Sequence, residues 1–143
     1  MGRTIKGTKR NDFITGRKRG DRILAGKGND TVNGGDGNDV LYGNQGTDIL
    51  TGGKGKDRFA LTRGTNYITD FTLEEGDSLF NGKWGTQIEV TASVVQGDDL
   101  FVTYTITNPR GKVFEDNTLV LMGTGDRFQH SMLSFGQPND YFY

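Results

Sequence analysis

The chain has 143 residues, enough for one domain or two small fused units. Its hydrophobic content of 32% is low, its 23 glycines are abundant, and its formal charge of −1 leaves it nearly neutral. No apolar run approaches the length of a transmembrane helix, and the absence of cysteine excludes disulfides and cysteine-bound zinc.

The N-terminal residues lead into no hydrophobic stretch, so no conventional cleaved signal peptide is predicted. A nine-residue repeat follows over residues 7–60, with blocks GTKRNDFIT, GRKRGDRIL, AGKGNDTVN, GGDGNDVLY, GNQGTDILT and GGKGKDRFA. Its sixth place holds Asp12, Asp21, Asp30, Asp39, Asp48 and Asp57. Its eighth place holds Ile14, Ile23, Val32, Leu41, Leu50 and Phe59. Two classes of position in phase over the whole segment predict a repeat fold, not a disordered linker.

Each block has a simple physical logic. Glycines at the first, second and fourth places allow tight turns through positive φ and bring carbonyl oxygens close together. The aspartate adds an ionised oxygen, and the residues after it form a short strand with its apolar side chain pointing inward. Carbonyl and carboxylate oxygens in a flexible arrangement suit Ca²⁺ better than Mg²⁺.

The blocks resemble the GGxGxDxUx repeat of the repeats-in-toxin (RTX, hemolysin-type) family, in which U is a large apolar residue. This resemblance implies an all-β fold: a right-handed parallel β-roll with two blocks per coil. Each calcium then lies between loops two blocks apart. The upper loop contributes the carbonyls of its second and fourth places and its aspartate. The lower loop contributes the carbonyls of its first and third places and its aspartate.

Carried onto this sequence, the resemblance implies four calcium sites. The two with the best glycine match are formed by Gly26, Gly28, Asp30, Gly43, Gln45 and Asp48, and by Gly35, Gly37, Asp39, Gly52, Lys54 and Asp57. The third is formed by Arg17, Arg19, Asp21, Gly34, Asp36 and Asp39. The fourth is formed by Thr8, Arg10, Asp12, Ala25, Lys27 and Asp30.

The first two blocks depart from the pattern because they carry Thr-Lys-Arg and Arg-Lys-Arg where glycines are expected. Positive φ strains such residues, and their cations repel calcium. We therefore expect these two sites to be weak or empty, and two to four ions in all.

The pattern fades through LTRGTNYIT, where Asn66 takes the aspartate place and Ile68 the apolar place. Residues 67–77 resemble the segment that closes such rolls in secreted proteases and alginate epimerases. That resemblance implies that Asp70 or Asp77 completes a last site with Asp57. A solvated acidic turn is the alternative.

Residues 86–122 predict an antiparallel β cap that covers the open end of the roll. The strand signals are Gln87–Thr91, Leu100–Thr107 and Asn117–Met122, separated by turns at residues 96–99 and 108–111. We interpret Trp84, Phe101 and Tyr104 as core or cap residues. The predicted division of the chain is a roll over residues 1–66 and a C-terminal capping region, packed on the roll, over residues 67–143.

Charge is uneven, since residues 1–30 hold nine Lys/Arg against three Asp, whereas residues 61–143 hold five Lys/Arg against eleven Asp/Glu. Two interpretations stay open. The basic end either binds an anionic polysaccharide, a cell surface or the acidic half of a second copy, or it keeps the roll end soluble. No aromatic interleaving or known binding module accompanies the charge, so we expect no nucleic-acid partner. The oligomeric state is not predicted.

No catalytic constellation is apparent, because the one histidine, His130, has no nucleophile motif near it. The leading hypothesis is a non-catalytic, secreted calcium-binding protein or module. The alternatives are a calcium-dependent adhesion or glycan-binding module and a fragment of a larger enzyme. Secretion is expected because extracellular calcium sites typically work at about 10⁻⁴–10⁻³ M. The final residues 140–143 also resemble the endings of type I-exported family members.

Overall fold

The computed structural model describes residues 2–83 and 85–124, and all regular structure in these residues is β-strand. No helix there is long and apolar enough to cross a membrane. The expectations for Trp84, His130 and residues 140–143 lie outside the described residues. The strands of the repeat are β1 (Thr4–Lys6), β2 (Phe13–Thr15), β3 (Arg22–Lys27), β4 (Thr31–Asp36), β5 (Val40–Gln45), β6 (Thr47–Lys54) and β7 (Arg58–Leu61). The later strands are β8 (Thr65–Ile68), β9 (Ser78–Asn81), β10 (Gln87–Gln96), β11 (Asp99–Thr107) and β12 (Val113–Leu121).

Successive strands alternate between two sheets. A five-stranded parallel sheet has the order β1-β3-β5-β7-β9, and a seven-stranded sheet has the order β10-β11-β12-β8-β6-β4-β2. Neighbours in the roll are offset by two blocks, as in the pairs Ile23↔Leu41 and Val32↔Leu50. The prediction of an all-β parallel β-roll with two blocks per coil is therefore confirmed.

One apolar side chain from each block points into the roll, alternately from the two sheets, and together these side chains form the core file. Six residues at the eighth place of successive blocks are at most 1% exposed: Ile23, Val32, Leu41, Leu50, Phe59 and Ile68. Ile14 is only partly buried, because its coil has a neighbour on one side only. The file continues into the cap through Leu100, Val102, Tyr104, Leu119 and Leu121.

The roll does not end with the last regular block. β8 extends the seven-stranded sheet beside β6, with Asn66 and Ile68 buried in the places that the sequence assigns to them. β9 extends the five-stranded sheet beside β7. The inward-facing residues Ile68 and Leu79 are eleven positions apart, two more than the nine of a regular block, which lets the acidic segment 69–77 close the coil.

The predicted antiparallel cap is confirmed as the ladder β10-β11-β12, but β12 also pairs in parallel with β8. The cap is thus a continuation of one roll sheet. β10 runs through residues 92–96 past a bulge between Val90 and Ala92, and β12 begins at Val113, so both are longer than predicted. Tyr104 lies in the core as expected. Phe101 does not, because its register with Val94 and Val120 places it on the outer face of the sheet.

Candidate metal centre

The loops between the two sheets stack into two columns. The first loop column contains residues 7–12, 25–30, 43–48 and 61–66, which lead from the five-stranded sheet to the seven-stranded sheet. The second loop column contains residues 16–21, 34–39, 52–57 and 69–77, which lead back. Each column brings together the loops that the sequence pairs in its four candidate sites.

The aspartates form a ladder along each column. Within the first column the Oδ1 atoms of Asp30 and Asp48 accept the backbone N–H groups of Asp12 and Asp30, at 2.8 and 3.0 Å. Within the second column the N–H groups of Asp21 and Asp39 bond to Oδ1 of Asp39 and Asp57, at 2.6 and 2.8 Å. Every bond spans eighteen residues, so the carboxylates hold stacked loops in register.

The other oxygen of four carboxylates has no hydrogen-bond donor. Oδ2 of Asp30, Asp39, Asp48 and Asp57 is buried and unpartnered, and these side chains are at most 1% exposed. An ionised carboxylate in such a place is costly unless a cation neutralises it. The orphan oxygens therefore mark places where the fold needs a positive charge.

Burial accordingly raises the pKa of all four carboxyls. The pKa of Asp48 is raised to about 6 and that of Asp57 to about 7, first by burial and then by repulsion from nearby carboxylates. The pKa values of Asp30 and Asp39 are also raised, first by burial and then by repulsion from Asp12 and Asp21. A bound divalent cation reverses this effect, because it favours the ionised form.

Backbone carbonyls point into the same spaces. A methyl group added at Gly46 would collide with the carbonyl oxygen of Gly28, and one at Gly53 with that of Gly35. Carbonyls of the second and fourth places thus face the next loop of their column. Asn44 takes the second place of its block at φ 69°, a left-handed conformation that asparagine tolerates better than most residues.

The first-place carbonyls point back toward the preceding loop. A methyl group added at Gly34 would collide with both Oδ2 of Asp39 and the carbonyl oxygen of Gly52. Third-place carbonyls are held nearby, since Gln45 and Lys54 accept bonds from the N–H groups of Gly28 and Gly37, at 3.1 and 2.8 Å. The donor set is thus carboxylate and carbonyl oxygen, the ligand class that Ca²⁺ prefers. In residues 2–83 and 85–124, no three acidic or histidine side chains converge, so an ion there needs these carbonyls.

The residues proposed for each of the two central sites lie in stacked loops of one column. One gathers Gly26, Gly28 and Asp30 against Gly43, Gln45 and Asp48, and the other gathers Gly35, Gly37 and Asp39 against Gly52, Lys54 and Asp57. The residues fit a calcium ion in both. Their role as ligands stays a prediction.

The two N-terminal loops stack on the same columns but differ in one respect. The N–H groups of Thr8 and Arg17 donate to Oδ2 of Asp12 and Asp21 in their own loops, at 2.6 and 2.8 Å. The oxygen that is orphaned in the later blocks is therefore already satisfied. In addition, the Thr8 carbonyl accepts the N–H of Lys27 at 3.2 Å.

The expectation that these two loops carry backbone strain is wrong. Among the described residues, only Asn44 and Asp116 have positive φ without being glycine. Thr8, Arg10, Arg17 and Arg19 avoid the left-handed region because their loops adopt another conformation, closed by the bonds to Asp12 and Asp21. Their partners in the third and fourth candidate sites, Ala25, Lys27, Gly34 and Asp36, lie in the next loops of the same columns.

The second column ends at two further carboxylates. Asp77 takes the next ladder place, where its Oδ1 accepts the N–H of Asp57 at 2.8 Å and its Oδ2 that of Thr72 at 2.9 Å. Asp70 binds the N–H groups of Gly52 and Gly53, at 2.9 and 2.8 Å. Asp77 and Asp70, the two candidates for completing a last site with Asp57, thus have different structural roles. Asp77 extends the ladder, and Asp70 ties the closing segment to the preceding loop.

The first column ends in neutral side chains, of which the sequence indicates Asn66 but not the contacts made by Tyr104 and Asn117. Asn66 is buried and its Oδ1 is unpartnered. A methyl group added at Gly43 would collide with both this atom and Oδ2 of Asp48. Beyond it, the Tyr104 hydroxyl donates to the Thr62 carbonyl at 2.6 Å, and Asn117 Oδ1 accepts the N–H of Gly64 at 3.0 Å. No local pattern could have revealed these contacts, because they join residues 42 and 53 positions apart.

Comparisons with known proteins agree with this geometry. Residues 15–50 and 33–68 match the model of the RTX calcium-binding nonapeptide repeat, which contains four copies. A solved structure, the solution structure of the AlgE6R3 subunit of the Azotobacter vinelandii mannuronan C5-epimerase, aligns with a TM-score of 0.57 and 24% sequence identity. The alignment covers 96% of this chain and 94% of that chain, so the two share their fold. Comparison with curated protein sequences finds no match.

Proposed function

Because residues 15–68 belong to the RTX calcium-binding nonapeptide repeats, we propose that this chain is a non-catalytic calcium-binding module whose roll folds when the ion binds. The repeats themselves account for calcium binding. The proposal adds that the ion drives folding, that two to four ions are held, and that the module works outside the cell.

The observation that carries the proposal is the set of four buried Oδ2 atoms without a donor, on Asp30, Asp39, Asp48 and Asp57. Each is stacked between glycine-rich loops that have little apolar surface of their own. Without a cation, burial and repulsion of these carboxylates oppose folding. With calcium the same groups become ligands that join loops two blocks apart, so binding energy becomes folding energy.

The expected occupancy of each site follows from how many of its carboxylate Oδ2 atoms have no hydrogen-bond donor. The two central sites each contain two orphan oxygens, so we expect them to bind calcium most tightly. The two N-terminal sites each combine one orphan oxygen with a carboxylate whose donors are already in place. Exposed lysines and arginines in those loops repel the ion further. We therefore keep the range of two to four ions, with the N-terminal sites the weaker.

Two further parts of the proposal are that the module has no catalytic role and that it works outside the cell. The ladder carboxylates accept backbone N–H groups and orient toward stacked loops, an arrangement suited to holding an ion and not to proton transfer. An affinity of about 10⁻⁴–10⁻³ M would leave the sites empty in the cytosol and filled outside the cell, which favours secretion. The division of the chain into residues 1–66 and 67–143 stays a prediction.

A calcium titration followed by far-UV circular dichroism tests the proposal. We expect β-structure to appear as calcium rises to millimolar levels, and magnesium to have little effect. Asp39→Asn removes one ladder charge, and Asp98→Asn, in the exposed β10–β11 turn, is the matched control for the charge change. A spectrum that is fully β-like in excess chelator and does not change with calcium would refute calcium-driven folding.

A second candidate function is calcium-dependent binding of an anionic polysaccharide. The outer face of the five-stranded sheet carries alternating cations and aromatic rings. Arg22 lies over Tyr42 with its guanidinium carbon 5.1 Å from the ring centroid, and Arg58 lies over Phe80 at 4.6 Å. The two rings meet edge to face at 5.4 Å. Guanidinium groups bind carboxylates, and mannuronan, on which the structurally similar protein's parent enzyme acts, is a polymer of carboxylated sugars.

Calorimetry with a short oligouronate, below gel-forming length and with calcium present, tests this candidate. We expect binding that weakens with salt and is lost in the Arg22→Ala/Arg58→Ala double variant. Arg110→Ala, in the exposed β11–β12 turn, is the control. Equal affinity in the double variant and the control would exclude this face as the binding surface.

A further inference from the structure

Two buried oxygens without a hydrogen-bond donor converge at the cap end of the first column. They are Oδ2 of Asp48 and Oδ1 of Asn66, on side chains that are at most 1% exposed. Both lie where a methyl group on Gly43 would be, in the space between the loops of residues 43–48 and 61–66. None of the four sequence-derived sites includes this space.

The same arrangement occurs one block earlier, in a regular candidate site. There, Oδ2 of Asp39 and the carbonyl oxygen of Gly52 converge on the place of a methyl group at Gly34. In the later space the aspartate oxygen is kept, and the amide oxygen of Asn66 is the second oxygen. The space is therefore lined by the class of oxygen ligands that Ca²⁺ prefers.

Asn66 does not act as a rung of the aspartate ladder. Oδ1 of Asp48 accepts the N–H of Asp30 at 3.0 Å, whereas Oδ1 of Asn66 has no donor, although β8 places Asn66 beside Asp48. A buried amide oxygen without a donor is costly, and a carboxylate oxygen nearby makes it more so. A cation between the two oxygens would remove both penalties.

Hydrogen bonds around Asn66 direct its amide oxygen toward this space. The amide Nδ2 donates to Thr62 Oγ1 at 3.3 Å, and the same hydroxyl oxygen accepts the N–H of Asn44 at 3.0 Å. The carbonyl of Thr62 accepts the Tyr104 hydroxyl of the cap at 2.6 Å. The nitrogen side of the amide is thus engaged with Thr62, and the oxygen side is available to a ligand.

The rest of the loop also favours a cation. The carbonyl oxygen of Gly46 faces it, because a methyl group at Gly64 would collide with this oxygen. That carbonyl accepts the N–H of Thr65 at 2.9 Å and keeps a second lone pair. The positive charge of the loop is held away, since the guanidinium of Arg63 stacks over the Phe114 ring, 3.9 Å from its centroid.

We propose that Asp48 and Asn66 form a further calcium site at the cap end of the first column. The GGxGxDxUx pattern does not assign it, because residues 61–66 read LTRGTN. With one carboxylate where the regular sites have two, it binds calcium more weakly and fills last. The inference rests on the proposed calcium function and adds one ion to it. It also links the ion column to the cap, through Thr62 and Tyr104.

Cadmium NMR of the full chain tests the site, with saturating Cd²⁺ as the probe, because each oxygen-coordinated Cd²⁺ gives its own resonance. The parent chain is compared with Asn66→Ala, which removes the amide oxygen, and with Asn66→Asp, which restores a carboxylate. Asn33→Ala is the control, since Asn33 is an exposed asparagine of β4 outside both loop columns. Circular dichroism verifies that each variant folds with calcium like the parent chain.

We expect Asn66→Ala to lose one resonance, and Asn66→Asp and Asn33→Ala to keep the number found in the parent chain. An unchanged number in Asn66→Ala, or one additional resonance in Asn66→Asp, would overturn the proposal, because the amide would then end the column without an ion. If Asn66→Ala does not fold, the comparison of the parent chain with Asn66→Asp decides. Absence of any bound-cadmium resonance from the parent chain would refute the calcium function as well.

Discussion

Replacing Asp39 with asparagine separates the two roles of this carboxylate. The amide keeps an oxygen that can accept the N–H of Asp21, so the ladder bond survives. It loses the negative charge of the buried, unpartnered Oδ2. Without calcium, Asp39→Asn should leave the stability unchanged or raise it, because burial and Asp21 already disfavour the ionised form. With calcium, the sign should reverse.

The size of the reversal follows from mass action. At free calcium about 100-fold above the dissociation constant, each occupied site adds about 2.7 kcal/mol to the free energy of unfolding. Asp39 belongs to two stacked sites, one with Asp57 and one with Asp21, so the variant should lose up to about 5 kcal/mol of calcium-dependent stabilisation. Asp57→Asn affects only one of the four sequence-derived sites and should lose about half as much.

Urea unfolding of the full chain, followed by circular dichroism at saturating calcium and at the lowest calcium concentration that still folds the roll, measures the unfolding free energy under each condition. The quantity to compare is the difference in unfolding free energy between the two conditions, for the parent chain, Asp39→Asn, Asp57→Asn and the exposed control Asp98→Asn. Equal and small losses for Asp39 and Asp57 would refute the stacked-loop model. A loss that is equally large at the lower calcium concentration would show that the carboxylate is structural and not a ligand.

Three other predictions follow from the same contacts. The raised pKa values, about 6 for Asp48 and about 7 for Asp57, mean that the calcium-free folded roll binds more protons than the unfolded chain between about pH 4 and 7. The stability at low calcium should therefore rise as the pH is lowered through this window, as melts at several pH values will show. Calorimetry should show weaker calcium binding at lower pH, because protons compete with the ion. A low-calcium stability that falls as the pH is lowered, or calcium binding that strengthens, would contradict the assignment. Asn44→Ala should cost about 1–2 kcal/mol, because alanine is strained at φ 69°, whereas Asn44→Gly should cost little in the same urea assay. Tyr104→Phe removes the buried bond to the Thr62 carbonyl and should cost about 1 kcal/mol without changing the number of ions bound, measured by calorimetry.

The repeat and its consequences could be determined from the sequence alone. A period of nine residues places Asp30 and Asp48, or Ile23 and Leu41, one above the other once two blocks make a coil. Local chemistry is enough for this, because every block repeats the same turn, the same inward side chain and the same carboxylate. The core file is a direct result of that repetition, whereas the stacking of loops two blocks apart, and with it the pairing of candidate ligands, was implied by the resemblance to the RTX repeat.

Only the tertiary structure decided how each carboxylate is satisfied and how the roll ends. Asp12 and Asp39 occupy the same place in their blocks, yet the Oδ2 of one accepts a donor from its own loop and that of the other has none. The end of the first column depends on Tyr104 and Asn117, brought to the roll by the parallel pairing of β12 with β8. Such contacts join residues far apart in the chain, and their partners are set by packing and register, which no nine-residue pattern contains.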